Sequence, residues 1–177
     1  MKALFFILLI TVTAFPVLSQ ERVQMHFNKN EIRLNILYLP AGYPELTYER
    51  VLGGKSAIGI SIGGFIGSKK PNYAKDILTS DFSLFPFYRY YLGKRTNSGF
   101  FVENNVNLFY RDDHSDENKF GSGLGLALGT KFFAVNSWTM EVVVGGGLNF
   151  RQQSCEGSYY CFPDMFPRLG ISLGKRF

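Results

Sequence analysis

The strongest constraint in this sequence is a two-residue period of hydrophobicity that recurs eight times after residue 20. In residues 123–132, Leu124, Leu126, Leu128 and Phe132 alternate with Gly, Ala and Lys. Such a period is typical of an extended strand, because successive side chains of a strand point to opposite faces. The same alternation marks segments at about 31–39, 45–52, 58–66, 81–92, 99–111, 123–132, 140–150 and 168–177. The sequence therefore predicts an all-β fold of eight strands.

Composition excludes the main competing classes. Of the 177 residues, 46% are hydrophobic, 16% aromatic and only 19% charged, whereas disordered chains are rich in charge and poor in aromatics. The 19 Gly and the many aromatic and β-branched residues disfavour a helical bundle. The formal charge is +5, but the Lys and Arg residues are scattered, so we predict no nucleic-acid partner.

The two faces of the strands differ in a way that predicts which one points inward. One parity carries small residues together with seven charged ones: Glu49, Arg89, Glu103, Lys131, Glu141, Arg168 and Arg176. The other parity is large and apolar, and its only charges are Arg50 and Lys175, near strand ends. Small residues suit the narrow interior of an eight-stranded barrel, and a continuous apolar face suits lipid. We therefore predict an eight-stranded antiparallel up-and-down transmembrane β-barrel.

The seven inward charges form a predicted lumen charge network. Four are basic and three are acidic, so we expect them to pair and close the lumen. An open ion path is the alternative, although eight strands leave little free interior.

Connection lengths give the barrel a polarity. Connections near Gly53–Lys55, Lys94–Ser98 and Ala134–Ser137 are short, whereas those near 67–80, 112–121 and 151–166 are long and polar, and only Pro40–Pro44 departs from the alternation. Outer-membrane barrels have short periplasmic turns and longer outer loops. This polarity predicts two aromatic rims, an outer one with Tyr38, Phe82, Tyr110 and Phe150 and a periplasmic one with Tyr90, Phe132, Trp138 and Phe177. Because Pro86 lies inside the fourth strand, we expect a local bulge there or shifted strand limits.

Residues 1–19 are typical of a secretory signal peptide. They place Lys2 before an apolar run from Ala3 to Phe15, with Val17 and Ser19 suited to cleavage before Gln20. A transmembrane anchor is the alternative, but the run is shorter than the roughly 20 residues that a spanning helix needs. We therefore predict export, and a barrel domain over residues 20–177.

The two cysteines, Cys155 and Cys161, lie in one polar loop of the exported part. An oxidising compartment favours a local disulfide between them, and a pair of free thiols is the alternative.

Chemical motifs are scarce. The loop at residues 111–122 holds His114 and Ser115 beside Asp112, Asp113, Asp116 and Glu117, which are types used by hydrolases and by cation sites. The loop lacks the fixed spacing and turn Gly of a calcium loop, and we expect a solvated loop. The glycine-rich runs lie within strand patterns and do not open a helix, so they are not nucleotide motifs. We predict no catalytic, cofactor-binding or metal-binding residues and no cofactor.

Three segments carry a resemblance to a known class: Tyr48–Leu52 (YERVL), Arg89–Lys94 (RYYLGK) and Pro167–Phe177 (PRLGISLGKRF). Over the whole exported part, the chain resembles the small eight-stranded outer-membrane barrels of the OmpX and OmpA-transmembrane type, and outer-membrane barrel proteins with these three patterns. Its last residues, Leu169, Ile171, Leu173 and Phe177, resemble the signal read by the outer-membrane assembly machinery. The resemblance implies a cell outer membrane location, with outer-membrane lipids and that machinery as partners, and it implies no activity.

These observations favour an integral outer-membrane protein without enzymatic activity, with a structural or surface-interaction role through its outer loops. Two alternatives stay open. A soluble lipocalin-like barrel would hold an apolar ligand and needs the large apolar parity inside. A lipid-modifying barrel enzyme would depend on His114.

Overall fold

The fold is a closed barrel of eight antiparallel strands, each hydrogen-bonded to its neighbour in sequence, with the first strand pairing to the last. The computed structural model describes residues 29–66, 80–93, 97–111, 120–150 and 164–177. The strands are β1 (Asn30–Asn35), β2 (Glu45–Gly53), β3 (Ser56–Gly64), β4 (Phe82–Tyr91), β5 (Gly99–Tyr110), β6 (Phe120–Phe133), β7 (Trp138–Asn149) and β8 (Met165–Arg176). The predicted all-β, up-and-down barrel is confirmed.

The barrel has two distinct ends. At the terminal end, where β1 begins and β8 ends, β2–β3 and β6–β7 are joined by short connections. At the far end, β3–β4, β5–β6 and β7–β8 are joined by long connections. No helix among the described residues is long and apolar enough to cross a membrane.

The strands place their apolar parity outward. On β6, Leu124, Leu126 and Leu128 are 55%, 61% and 60% exposed, whereas Ala127 between them is 2% exposed. Charged residues such as Glu103 and Lys131 are buried inside. This distribution agrees with the predicted assignment of the two faces and is the reverse of an apolar-cored soluble barrel.

Inward glycines make room for the few large side chains in the lumen. A Cβ at Gly129 would lie 2.8 Å from a ring carbon of Phe101, which is 1% exposed. A Cβ at Gly145 would lie 2.5 Å from the Cβ of Ala127 on the neighbouring strand. The glycine-rich runs of β6 and β7 therefore serve close packing inside a narrow barrel.

The first strand is shorter than predicted. It ends at Asn35 and not near residue 39, because a 3-10 turn at Leu39–Ala41, with Pro40 inside it and Gly42 at φ 72°, reverses the chain. Tyr38 lies before that turn and is only 8% exposed. The prediction that Tyr38 belongs to an exposed rim is wrong, since the two-residue alternation stops before it.

The other predicted rim aromatics lie near the strand ends as expected. Phe82 and Phe150 are 46% and 63% exposed at the far end, where Tyr110 is half-buried. The terminal end exposes the remaining four, which are Tyr90, Phe132, Trp138 and Phe177.

Pro86 causes neither of the expected distortions. The β4 limits agree with the prediction to one residue, and the β4–β5 register is the same at Leu84↔Leu108 as at Phe87↔Asn105. Pairs to β5 are missing only at Phe85 and Pro86, while Pro86 keeps its pair to Ile60 of β3. The expected bulge is therefore wrong, because the ladder simply omits the bond that Pro cannot donate.

Candidate functional site

The lumen is the candidate site, because ten charged side chains of the described residues meet there. All seven predicted network residues take part, and three more join them: Glu31, Arg33 and Glu45. The ten ion-paired groups are five cations (Arg33, Arg89, Lys131, Arg168, Arg176) and five carboxylates (Glu31, Glu45, Glu49, Glu103, Glu141).

Arg89 of β4 is the centre of this network. Its guanidinium donates to Glu49 at 2.8 Å, to Glu103 at 2.7 Å and to Glu141 at 2.6 Å, joining β2, β5 and β7 across the barrel. Its Cζ also lies 4.4 Å from the ring centre of Phe87 and 4.3 Å from that of Phe101. The side chain is 1% exposed, so its charge is held by carboxylates and ring faces and not by water.

Lys131 of β6 extends the network toward the terminal end. Its Nζ donates to Glu49 Oε1 at 2.7 Å and lies 3.4 Å from Glu31 Oε2. Arg33 donates to Glu31 at 2.7 Å and lies 2.9 Å from Glu49. The Tyr91 hydroxyl completes the site by donating to Glu49 at 2.8 Å.

Arg168 of β8 extends the network toward the far end. It donates to Glu45 at 2.6 Å, to Glu103 at 3.0 Å and to the Ser61 hydroxyl at 3.0 Å. Its Cζ lies 4.8 Å from the ring centre of Phe85. Arg168 therefore ties β8 to β2, β3 and β5 across the barrel.

Arg176 closes the network at the terminal end. Its side chain donates to Glu31 at 2.8 Å and to the main-chain carbonyl of Asn97 at 3.0 Å. It also stacks on Phe133, with Cζ 4.1 Å from the ring centre. Asn97 is 1% exposed, so the short β4–β5 connection contributes a buried residue to this end of the lumen.

A small cavity lies in the far half of the lumen, beyond Arg168. Its volume is about 30 Å³, which is enough to hold a water molecule. Tyr38 and Tyr43 reach it from the β1–β2 connection, and Phe85, Asn107 and Phe166 reach it from the strands. Burial raises the pKa of each of the two tyrosines to about 12, so both hydroxyls keep their protons at neutral pH.

The chemistry available in this lumen is limited by its charge balance. Five cations match five carboxylates, and each of the carboxylates has a cation within 3 Å. Within the described ranges, no group of three or more His, Cys, Asp or Glu is arranged to hold a metal ion. The arrangement is suited to holding strands together and to blocking the lumen, since its acids are already satisfied as ion-pair partners.

The three residues missing from the predicted network follow the same alternation as the seven that it contains. Glu31 and Arg33 share the inward parity of β1 with Asn35, and Glu45 shares that of β2 with Thr47 and Glu49. All three lie within the predicted segments 31–39 and 45–52, so including every charged residue of the inward parity in the network would have found them. The Tyr38–Tyr43 contact carries no such signal, because it depends on the turn between β1 and β2.

Several predicted features lie outside the described residues. These are the signal peptide at 1–19, the cysteines Cys155 and Cys161, and the loop with His114 and Ser115. The proposed assembly-signal residues Leu169, Ile171, Leu173 and Phe177 are described, and they lie on the outward parity at the end of the chain.

The chain was compared with family models, curated proteins and solved structures, and none of them matches it.

Proposed function

We propose that this chain is an integral outer-membrane β-barrel protein without enzymatic activity. The observation that carries the proposal is the outward apolar band around a charged interior. Leu126 on β6, Val144 on β7 and Leu46 on β2 are 61%, 59% and 53% exposed, and water would disfavour such a continuous apolar surface. Hydrocarbon would favour it, and it would leave the charged network inside.

The ends of the barrel support the same placement. Lys175 points outward at the terminal end, with its Nζ 5.9 Å from the ring centre of Trp138. Trp and Lys side chains of this kind suit the boundary between lipid and water. Trp138 and Phe132 would then lie at the periplasmic boundary, and Phe82 and Phe150 at the outer one.

The role that we propose is structural, with contacts to the surroundings made through the long far-end connections. The lumen is crossed by ion pairs from the terminal end to Arg168, and the cavity beyond it is only about 30 Å³. We therefore expect a closed barrel and no open ion path. The Ile and Leu residues of the strands lie on the outward parity, which also disfavours the lipocalin-like alternative, because that fold needs them inside.

Gel mobility of the membrane fraction tests the membrane proposal. Cells producing the full chain are separated into soluble and membrane fractions, and the detergent extract is run with and without boiling. We expect the protein in the membrane fraction, with a mobility that changes on boiling as the barrel unfolds. Recovery in the soluble fraction without a mobility change would contradict the proposal.

Conductance across a planar lipid bilayer tests the closed lumen separately. We expect the purified wild-type protein to give no unitary current steps. Regular steps from folded protein would contradict the closed lumen while leaving the membrane placement intact.

A further inference from the structure

The wall of the barrel is incomplete as a ladder between β1 and β8. The two strands pair only from Glu31↔Arg176 to Asn35↔Ser172, followed by a bond from Ile36 N to Ile171 O at 2.8 Å. β8 continues to Met165 and stays paired to β7 along that whole length. Its stretch Met165–Gly170 therefore has no β1 strand beside it. We call the contact between this stretch and residues 36–44 the seam.

At the start of the seam, a side chain makes the hydrogen bonds that the strand ladder makes elsewhere. The Asn35 side chain donates to Leu169 O at 3.2 Å and accepts from Ile171 N at 3.2 Å. Its amide thus replaces one main-chain peptide group of a missing strand. Pro167 lies two residues before Leu169 in β8. Because proline has no N–H, the main chain has no donor to satisfy at that position.

An aromatic cluster fills the rest of the seam. Tyr38 and Tyr43 meet edge to face at 6.1 Å, and Tyr43 meets Phe65 in the same way at 5.0 Å. Leu169 of β8 packs against this cluster. The wall is closed here by side-chain packing and by three hydrogen bonds, of which Asn35 and Ile36 donate two and Ile171 donates one. A continuous ladder closes β5–β6, β6–β7 and β7–β8.

The far-half cavity lies directly behind the seam, since Tyr38, Tyr43, Pro167 and Leu169 line it. Two buried polar atoms at the cavity wall, Tyr38 Oη and Asn107 Oδ1, have no hydrogen-bond partner among the described residues. Tyr38 and Asn107 are 8% and 3% exposed. The Tyr38 hydroxyl can donate a hydrogen bond and Asn107 Oδ1 can accept one, so together they suit a group that both accepts and donates.

We propose that the seam is a lateral opening through which the neutral hydroxyl end of a bilayer amphiphile reaches the cavity between Tyr38 and Asn107. This inference rests on the proposed membrane placement, because the amphiphile arrives from lipid. A hydroxyl would accept from Tyr38 and donate to Asn107 Oδ1, and the cavity has room for a group of this size. Because Leu169 packs against the cluster, the alkyl chain would reach the outer face when these side chains part.

The charge around the cavity favours a neutral head over an ion. Arg168 and Glu45 both line the cavity and are already paired to each other at 2.6 Å. An anionic head would compete with Glu45 for Arg168, and a cationic head would compete with Arg168 for Glu45. A hydroxyl leaves this pair intact.

Photolabelling in vesicles tests the proposal. The protein is placed in phosphatidylcholine vesicles with a long-chain primary alcohol that carries a diazirine beside its hydroxyl, or with the matching alkane probe. Labelled peptides are mapped by mass spectrometry. We expect the alcohol, but not the alkane, to label the cavity wall at Tyr43 or Phe166, and both probes to label the outer face near Leu126.

Two variants show whether the cavity hydrogen bonds hold the alcohol. Asn107→Leu and Tyr38→Phe should each reduce cavity labelling at least tenfold and leave labelling near Leu126 unchanged. Asn104→Leu, on the outward face of the same strand, should leave both the cavity labelling and the labelling near Leu126 unchanged. A boiling-dependent gel shift shows that each variant is folded, and the two cavity variants provide independent tests.

The outcomes separate the two proposals. Labelling near Leu126 without cavity labelling, or cavity labelling that both Asn107→Leu and Tyr38→Phe leave intact, would overturn the lateral opening and leave the membrane placement standing. Absence of labelling near Leu126 by both probes would overturn both proposals.

Discussion

At the scale of single residues, the lumen depends on charges that cannot be removed one at a time. Arg89 is bound to three carboxylates, from β2, β5 and β7, and its guanidinium contacts the rings of Phe87 and Phe101. Removing one member of a buried network leaves its partners charged, without a counter-ion and without water. The number of partners therefore decides how much each substitution costs.

Arg89→Met is expected to lower the free energy of unfolding by about 3–5 kcal/mol, because Glu49, Glu103 and Glu141 all lose a cation. Arg50→Met is the matched control, since Arg50 is exposed on the outward parity near the terminal end, and it should change the free energy by less than about 0.5 kcal/mol. Reversible urea unfolding in lipid vesicles measures both. Equal losses would show that the charged interior does not hold the barrel together.

Two neighbouring asparagines on β5 give a second residue-scale test. Asn104 points outward, whereas Asn105 is buried and donates to Glu103 at 3.2 Å. Asn104→Leu should raise the free energy of unfolding in vesicles by about 1 kcal/mol, because it removes a polar amide from hydrocarbon. Asn105→Leu should lower it by about 1–3 kcal/mol through the lost hydrogen bond. Opposite signs are the expected result, and a loss for both would contradict the assigned faces.

At the scale of elements, the strands followed from the sequence because inward and outward residues differ so strongly in size and polarity. The limits of β4 and β5 agree with the prediction to one residue. The end of β1 did not follow, because Ile36 continues the alternation while the 3-10 turn at Leu39–Ala41 already redirects the chain. The three added network residues were readable from parity, whereas the Tyr38–Tyr43 cluster depends on three-dimensional packing.

Adjacent positions on β6 test the orientation of a whole strand. Leu126→Arg places a charge on the outward face at the middle of β6 and should cost about 2–4 kcal/mol of unfolding free energy in a bilayer. Ala127→Ser adds one hydroxyl to a buried inward cluster with Phe101 and Val143, and it should cost less than the charge at position 126. The measurement is unfolding of both variants in the same vesicles. Equal tolerance of the two changes would overturn the inside–outside assignment.

Hydrogen exchange tests the weakness of the seam as an element. The Ile171 amide is held by the Asn35 side chain, whereas Ser172 pairs with Glu141 in the complete β7–β8 ladder. Asn35→Ala should speed exchange at Ile171 at least tenfold and leave Ser172 unchanged, as read by NMR in micelles. Equal protection of Ile171 in the wild type and the variant would mean that the seam is as firmly closed as a ladder.

At the scale of the whole molecule, the barrel combines an apolar exterior with a charge-balanced interior. The apolar exterior would be unfavourable in water, because nothing there removes it from the solvent. In a bilayer, the strand ladders and the hydrogen bonds of the seam satisfy the main chain, and the ion pairs stay shielded from lipid. The proposed placement therefore requires that the outward face lies in hydrocarbon.

Depth-dependent fluorescence quenching tests this claim most directly, because the chain has a single tryptophan. Trp138 is 51% exposed at the terminal end, so lipids brominated near the headgroup should quench it more than lipids brominated near the chain end. Leu126→Trp in a Trp138→Phe background should show the reverse order, since position 126 lies at mid-strand. If brominated lipids leave the emission unchanged at both positions and aqueous acrylamide quenches it fully, the outward face does not lie in hydrocarbon.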